Sequence, residues 1–235
     1  VGLDIDYDAL RRRLGRKLGY NRDSATWTEI QDTDVDDIIQ AGLRGFYRPV
    51  GLEGAPLYVW SFLRKSASVT LVTTDYDYDL PIDFVNLTED PVVAAAAGGR
   101  LERIPWQDLT AMRARASATG VPYYCSVRPL TPDATTGTRH ELLIYPTPAS
   151  LQAGWTVNYR YLCAPEELDE TNRYPLGGAL HAQTILDACL AEAELMLVDE
   201  PGVYNQKFAE SLAASIKLDM EAQTRPVRRL KVFKD

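Results

Sequence analysis

The sequence predicts an α+β fold: a helical bundle formed by the N- and C-terminal helices, an inserted antiparallel β-rich subdomain, and an extended C-terminal arm. Three observations carry this. Apolar residues recur at steps of three and four in two segments near the start of the chain and two near its end. The middle, from about Ser68 to Leu162, breaks into short runs of β-forming residues separated by Pro, Gly and Asp. The apolar stripes at the two ends need partners, and packing them on one another closes a single bundle around the insertion. The expected divisions are 1–66 for the N-terminal helices, 67–165 for the β-rich insertion, 166–224 for a helical hairpin completing the bundle, and 225–235 for a basic arm.

The first helix is expected over about Asp6 to Leu18. Tyr7, Leu10, Leu14 and Leu18 share one face, Asp6 and Asp8 suit the positive end of the helix dipole, and Gly19 is a stop. Arg11, Arg12, Arg13, Arg16 and Lys17 crowd the other side, as a solvated face or a contact for an acidic neighbour. The second helix is expected from about Asp34 to Tyr47, with a stripe of Val35, Ile38, Ile39, Leu43 and Phe46, a cap at Thr33 or Asp34, and Pro49 ending it.

Four runs read as strands: Val69 to Val72, Tyr123 to Val127, Leu142 to Tyr145, and Trp155 to Leu162. In the last, Trp155, Val157, Tyr159 and Tyr161 alternate with polar residues, the mark of a half-buried antiparallel strand. A short helix after Pro105 would bring Trp106, Leu109 and Met112 together. The third long helix, about Leu176 to Val198, carries only Asp187 as a charge before Glu192, so burial on most sides is expected. The fourth, about Val203 to Glu221, steps Phe208, Leu212, Ile216 and Met220 by four, with Ala209, Ala213 and Ala214 permitting close helix approach. Pro201-Gly202 turns the pair into an antiparallel hairpin.

Composition narrows the function. Hydrophobic residues make up 46% of the 235 and charged residues 25%, an ordinary globular balance. No run of about 18 uncharged apolar residues occurs, so no membrane contact is expected. The opening Val1-Gly2-Leu3-Asp4 lacks the features of a signal peptide, and folding in a cytoplasm is expected. Net charge is −8; residues 225–235 carry +4, leaving −12 on the rest, which argues against binding nucleic acid by phosphate neutralisation. Cys125, Cys163 and Cys189 lie far apart without metal-ligand spacing and read as buried apolar residues.

The search for chemistry finds no catalytic motif. His140 and His181 have no Cys or second His at ligand spacing, and no G-x-S-x-G elbow surrounds a serine. Asp75, Asp77 and Asp79 resemble the opening of a calcium loop, but Leu80 and Asn86 stand where such a loop needs Gly and Glu. They read as an acidic turn with Tyr76 and Tyr78 packed on one side. Gly98-Gly99 fits no nucleotide fingerprint and reads as a turn or a mobile loop. Glu166, Glu167, Asp169 and Glu170 read as a polar connector rather than a glycosidase pair, which needs one acid in an apolar pocket. No enzyme activity, cofactor or metal is expected.

Several segments, in order along most of the chain, resemble the head-to-tail adaptor (connector, or neck ring) proteins of tailed bacteriophages. Ala9-Leu10-Arg11-Arg12-Arg13-Leu14-Gly15 is similar to that family's first helix, and Asp36 to Tyr47 to its second. Tyr58-Val59-Trp60-Ser61-Phe62-Leu63 resembles a Trp-x-Phe step into the insertion, and Leu80-Pro81-Ile82-Asp83-Phe84 a strand entry. Tyr145-Pro146-Thr147-Pro148 with Tyr159-Arg160-Tyr161 is similar to its last hairpin, and the helical pair after Tyr174-Pro175-Leu176-Gly177-Gly178 to its closing helices.

The resemblance implies a structural virion protein of the neck, between capsid and tail, assembled in the bacterial host cytoplasm. It implies a homo-oligomeric ring, usually twelvefold, docked beneath the portal protein. The ring would extend the DNA channel, pass DNA through its lumen without specific binding, and present a platform for a downstream neck or tail protein. It also implies a C-terminal arm reaching the portal. On that reading Val227, Leu230, Val232 and Phe233 are apolar anchors, while Arg225, Arg228, Arg229 and Lys231 meet acidic groups. The residues around Val92 to Arg100 and the arm are expected to change order on assembly. The alternatives are another neck or tail-completion ring, a virion-associated cell-wall hydrolase using Glu166, Glu167 or Glu170, and a non-phage α+β binding module.

Overall fold

The computed structural model describes residues 4–49, 58–95, 98–132, 134–135, 137–198 and 200–224. Among them lie five α-helices and eight strands in two sheets, the α+β fold that the sequence predicts. The chain divides into two compact units, one from residues 1–62 and 165–235, the other from Leu63–Ala164.

The first unit is helical. Helix α1 (Tyr7–Lys17) is capped by the Asp6 carboxylate, which accepts from Ala9 N at 2.8 Å, and buries Tyr7, Leu10 and Leu14. Helix α2 spans Glu29–Tyr47 and therefore starts one turn before the expected Thr33-Asp34 cap. Thr28 is the N-cap: its hydroxyl accepts from Gln31 N and the Gln31 amide accepts from Thr28 N, a capping box that outcompetes the later candidates. Helix α4 (Gly178–Val198) buries ten residues from His181 to Ala193 and packs against α1, α2 and α5 (Val203–Thr224). The α2–α4 contact is close because Gly42 faces the backbone of Cys189: a Cβ there would sit 2.7 Å from Cys189 Cα.

Helix α5 departs from expectation. Its buried residues are Ser215 and Asp219, with Phe208, Leu212 and Ile216 half-buried beside them. Ala209, Ala213 and Ala214, read from the sequence as a surface for close approach, are exposed, and Met220 of the expected stripe is 52% exposed. The polar pair decides which face turns inward: the Ser215 hydroxyl lies 2.7 Å from the Thr184 hydroxyl of α4, and Asp219 collects several donors. At the hairpin turn the Glu194 carboxylate accepts from Tyr204 N at 2.8 Å and caps α5; a Cβ on Gly202 would lie 2.5 Å from it.

The second unit carries the strands. The first sheet orders β1 (Arg64–Thr70), β8 (Thr156–Cys163) and β3 (Phe84–Leu87), with β4 (Val92–Ala94) also pairing β8, all antiparallel. The alternation read in the last run holds for Val157, Tyr159 and Tyr161, which are buried, and continues to Cys163; Trp155 is half-buried and precedes the strand. The second sheet orders β2 (Asp77–Asp79), β7 (His140–Tyr145), β6 (Tyr124–Pro129) and β5 (Glu102–Arg103), with β5 parallel to β6. Helix α3 (Trp106–Arg115) places Leu109 in a core with Leu143 and Tyr145, and Tyr76, Ile104, Met112 and Tyr124 pack around it. Directly across β6 and β7, Arg128 pairs with the buried Glu141.

Two expectations are corrected here, and the turn read at Gly98-Gly99 is found. The first strand lies at Arg64–Thr70, upstream of the apolar run Val69 to Val72, because its pairing with β8 fixes the register. Asp77 and Asp79 belong to a strand and not to a turn: the pairing of β2 with β7 turns Tyr78 inward, where it is 8% exposed. Gly98 and Gly99 close a tight return, in which Gly98 N donates to Ala95 O and Val93 N to Gly99 O, both at 2.9 Å.

Candidate functional site

The sequence places its candidate site on the basic arm, and Arg225, Val227, Arg228, Arg229, Leu230, Lys231, Val232 and Phe233 lie outside the described residues. What the structure describes is the end of α5 that leads into them. Asp219 is buried, 3% exposed, and accepts from Tyr58 OH at 2.6 Å, from Ser61 N at 3.0 Å, from the Ser61 hydroxyl and from Gln223 Nε2 at 2.9 Å. Gln223 also donates to Tyr58 OH at 3.2 Å. The last turn of α5 is thus tied to the segment Tyr58–Ser61. Burial pushes the Asp219 carboxyl up, but the hydrogen bonds from Ser61, Tyr58 and Gln223 together outweigh it and hold the group below its ordinary value of 3.8.

Beside this network stands an aromatic cluster. Trp60 is fully buried and donates its indole N–H to Phe46 O at 3.0 Å. His181 packs among Trp60, Phe62 and Phe46 at centroid separations of 5.1, 5.4 and 6.0 Å. Its Nδ1 has no hydrogen-bond partner among the described residues, and burial lowers its pKa while Asp219 pulls the other way. Sequence reasoning missed Asp219; a single acid between Leu218 and Met220, four residues from both Ser215 and Gln223, was the available signal.

Two surfaces of this unit carry chemistry that the fold does not consume. On α1, Arg11 pairs with Asp32 of α2 and lies over the Tyr7 and Trp27 rings, and Lys17 sits 4.6 Å from the Tyr204 ring centroid. Arg12, Arg13 and Arg16 are exposed and make no ion pair with a described residue. On α5, the outer face shows Ala209, Ala213, Ala214 and Leu218, the last 43% exposed.

The remaining sequence candidates are accounted for individually. Glu166, Glu167 and Glu170 are all exposed, so none occupies an apolar pocket, and Glu167 faces Arg44 at 3.6 Å. Asp169 accepts from Thr171 N and Asn172 N and closes a local turn. Asp79 pairs with Arg139 at 2.8 Å, and among the described residues no group of three or more His, Cys, Asp or Glu is placed to hold a metal ion. His140 packs on Phe84 at 5.3 Å. Cys125, Cys163 and Cys189 are free and buried. Among the described residues no helix is long and apolar enough to cross a membrane.

The model of one protein family, described as SU10 adaptor protein, matches residues 5–230. A comparison with curated proteins finds no match.

Proposed function

Because the chain belongs to the SU10 adaptor protein family, a structural family of bacteriophage adaptors, we propose that it forms a ring beneath the portal, extends the DNA channel, and offers a platform to the next neck or tail protein. The observation that carries the ring is α5. The inward face of α5 is covered within its own unit, while Ala209, Ala213, Ala214 and Leu218 stand outward beside Glu210 and Lys217, a face of small, apolar and charged residues that a neighbour could cover. A neighbouring copy seated there would make the head-to-tail contact from which rings close. Arg12, Arg13 and Arg16, which pair with no described residue, add a basic face on a chain whose residues 1–224 carry −12, a complement for an acidic neighbour.

The arm supplies the portal contact. Asp219 and Gln223 are bonded to one another in the last turns of α5, and in the segment that follows in sequence Val227, Leu230, Val232 and Phe233 are interspersed with basic residues, a composition suited to strand addition at a portal edge. The acidic body suits a channel that must let DNA slide, since a lumen of the same sign as phosphate does not hold it. The test is mass photometry of portal rings with and without the protein. Gain of about a dozen copies per portal supports the reading; no added mass overturns it. Truncation after Gln223 is expected to abolish the gain while preserving the melting temperature, and full binding by the truncated chain would overturn the arm's role.

A further inference from the structure

We infer that the β-rich unit carries a binding site for an acidic peptide segment, in a cleft of about 370 Å³ between its two sheets. Asn86, Arg103, Trp106, Gln107, Ser126 and Val127 contribute to its lining. None of the adaptor reading is needed for this inference.

Four sources of hydrogen-bond donors converge there. Helix α3 begins with Pro105 as N-cap, which makes no side-chain cap, so the first-turn N–H groups of Trp106 and Gln107 are satisfied by no described residue. Arg103 is held on two sides, by Leu87 O at 3.1 Å and by Asp90 at 3.5 Å, which leaves its Nη2 edge without a partner among the described residues. Asn86 follows a register irregularity in β3 after Phe84, a device that re-aims a side chain, and lies at the cleft. Ser126 is only 4% exposed, yet its hydroxyl finds no hydrogen bond among the described residues. A hydroxyl that bonds no described residue, on a nearly buried serine lining the cleft beside a helix N-terminus and an oriented guanidinium, is placed to take an oxyanion.

The surroundings select the kind of anion. Trp106 is 37% exposed at the rim, and Val127 and Ile104 are half-buried beside it, so an apolar group next to the anion finds a seat. One guanidinium, already shared with Asp90, suits a single carboxylate, whereas a nucleic acid needs a row of cations. An Asp or Glu side chain flanked by Leu or a similar residue fits both parts.

The experiment uses the full chain labelled with 5-fluorotryptophan, whose four indoles give four ¹⁹F signals, the Trp106 signal being assigned with W106F. The probe is the acetylated, amidated peptide Leu-Glu-Leu-Asp-Leu, with Leu-Gln-Leu-Asn-Leu, inorganic phosphate and a DNA oligonucleotide as comparisons. The expected result is a saturable shift of the Trp106 signal with the acidic peptide, weakened about tenfold in R103Q and several-fold in S126A, with the other three signals in place as proof of folding. Equal response to the neutral peptide, undiminished binding in both variants, or no shift overturns the site. Response to phosphate or DNA without response to the peptide overturns the assignment of its ligand.

Discussion

Substituting Gly42 and Gly45, one helical turn apart on α2, should move stability in opposite directions. A Cβ on Gly42 would lie 2.7 Å from both Cα and N of Cys189 and 2.9 Å from its Sγ. Ordinary contact begins at 3.4 Å, so α2 and α4 must separate by about 0.7 Å, and the obstacle is backbone, which cannot rotate away. Opening the contact loosens Ile39 and Phe46 on α2 and Ile185 on α4, all fully buried. Overpacking of this kind costs about 1–3 kcal/mol, at the upper end for a backbone obstacle. Helix propensity returns about 1 kcal/mol when Gly becomes Ala, leaving G42A about 2 kcal/mol less stable. For a chain of this size that lowers the melting temperature by about 4–8 °C. G45A receives the same propensity gain with no contact nearer than Phe208 Cε1 at 4.0 Å, and should melt about 2–4 °C higher than the parent. Differential scanning calorimetry of the three proteins reads the outcome. A G42A melting point at or above the parent's, or equal losses in both variants, would refute the close α2–α4 contact.

Acid should destabilise the protein in two stages. His181 has a lowered pKa in the fold, so its contribution is complete above its unfolded value near 6.5 and declines as pH falls below that value; H181F should remove this upper stage in melting curves from pH 7 to 5. The Asp219 carboxyl is likewise held low, so its contribution stands above about pH 4 and is lost below; D219N should cost about 1–3 kcal/mol at neutral pH and flatten the decline under pH 4. Burial pushes the Cys125 and Cys189 thiols up to about 12, and raises that of Cys163, so a disulfide reagent at pH 8 should leave all three untouched until denaturant is added; rapid labelling of the native protein would contradict their burial. E194A, which deletes the cap on Tyr204 N, should lower stability by about 0.5–2 kcal/mol in urea unfolding, with the loss confined to α5 in hydrogen exchange.

The helical ends of the chain were legible because their stripes are long and periodic, and the β8 strand because alternation over eight residues leaves one solution. The errors fall where local signals compete. Thr28 and Thr33 both offer a cap before the same stripe, and only the reciprocal bonds with Gln31 choose between them. Strands β2, β3, β4 and β5 are two to four residues long, too short for a period, and exist because β6, β7 and β8 offer them edges. The face of α5 was misjudged because apolar spacing alone counts Met220 and ignores Ser215 and Asp219. Two buried polar groups with partners decide the rotation, since leaving either unpaired in the core costs more than exposing a methionine. The cleft at Ser126 had no sequence signal, for its donors come from β3, β5, β6 and α3.

That misjudgment of α5 bears on assembly. Ala209 and Ala213, one turn apart, have the spacing of a close helix contact, and with Ala214 they are exposed among the described residues. The same reasoning applies to α1, where Arg11 and Lys17 are engaged within the chain while Arg12, Arg13 and Arg16 form no ion pair with a described residue. Sheet faces give a different result: Ser66, Ser68, Asn158 and Arg160 on the open side of the first sheet are polar residues in water, and Arg160 meets Glu89 at 3.2 Å. Residues whose chemistry exceeds what the subunit uses therefore concentrate on two helices of the bundle and not on the open face of that sheet. Substitutions A213E and R13E probe those helices at exposed positions, where the fold tolerates them, and loss of ring formation with unchanged melting would place the subunit contact on the bundle.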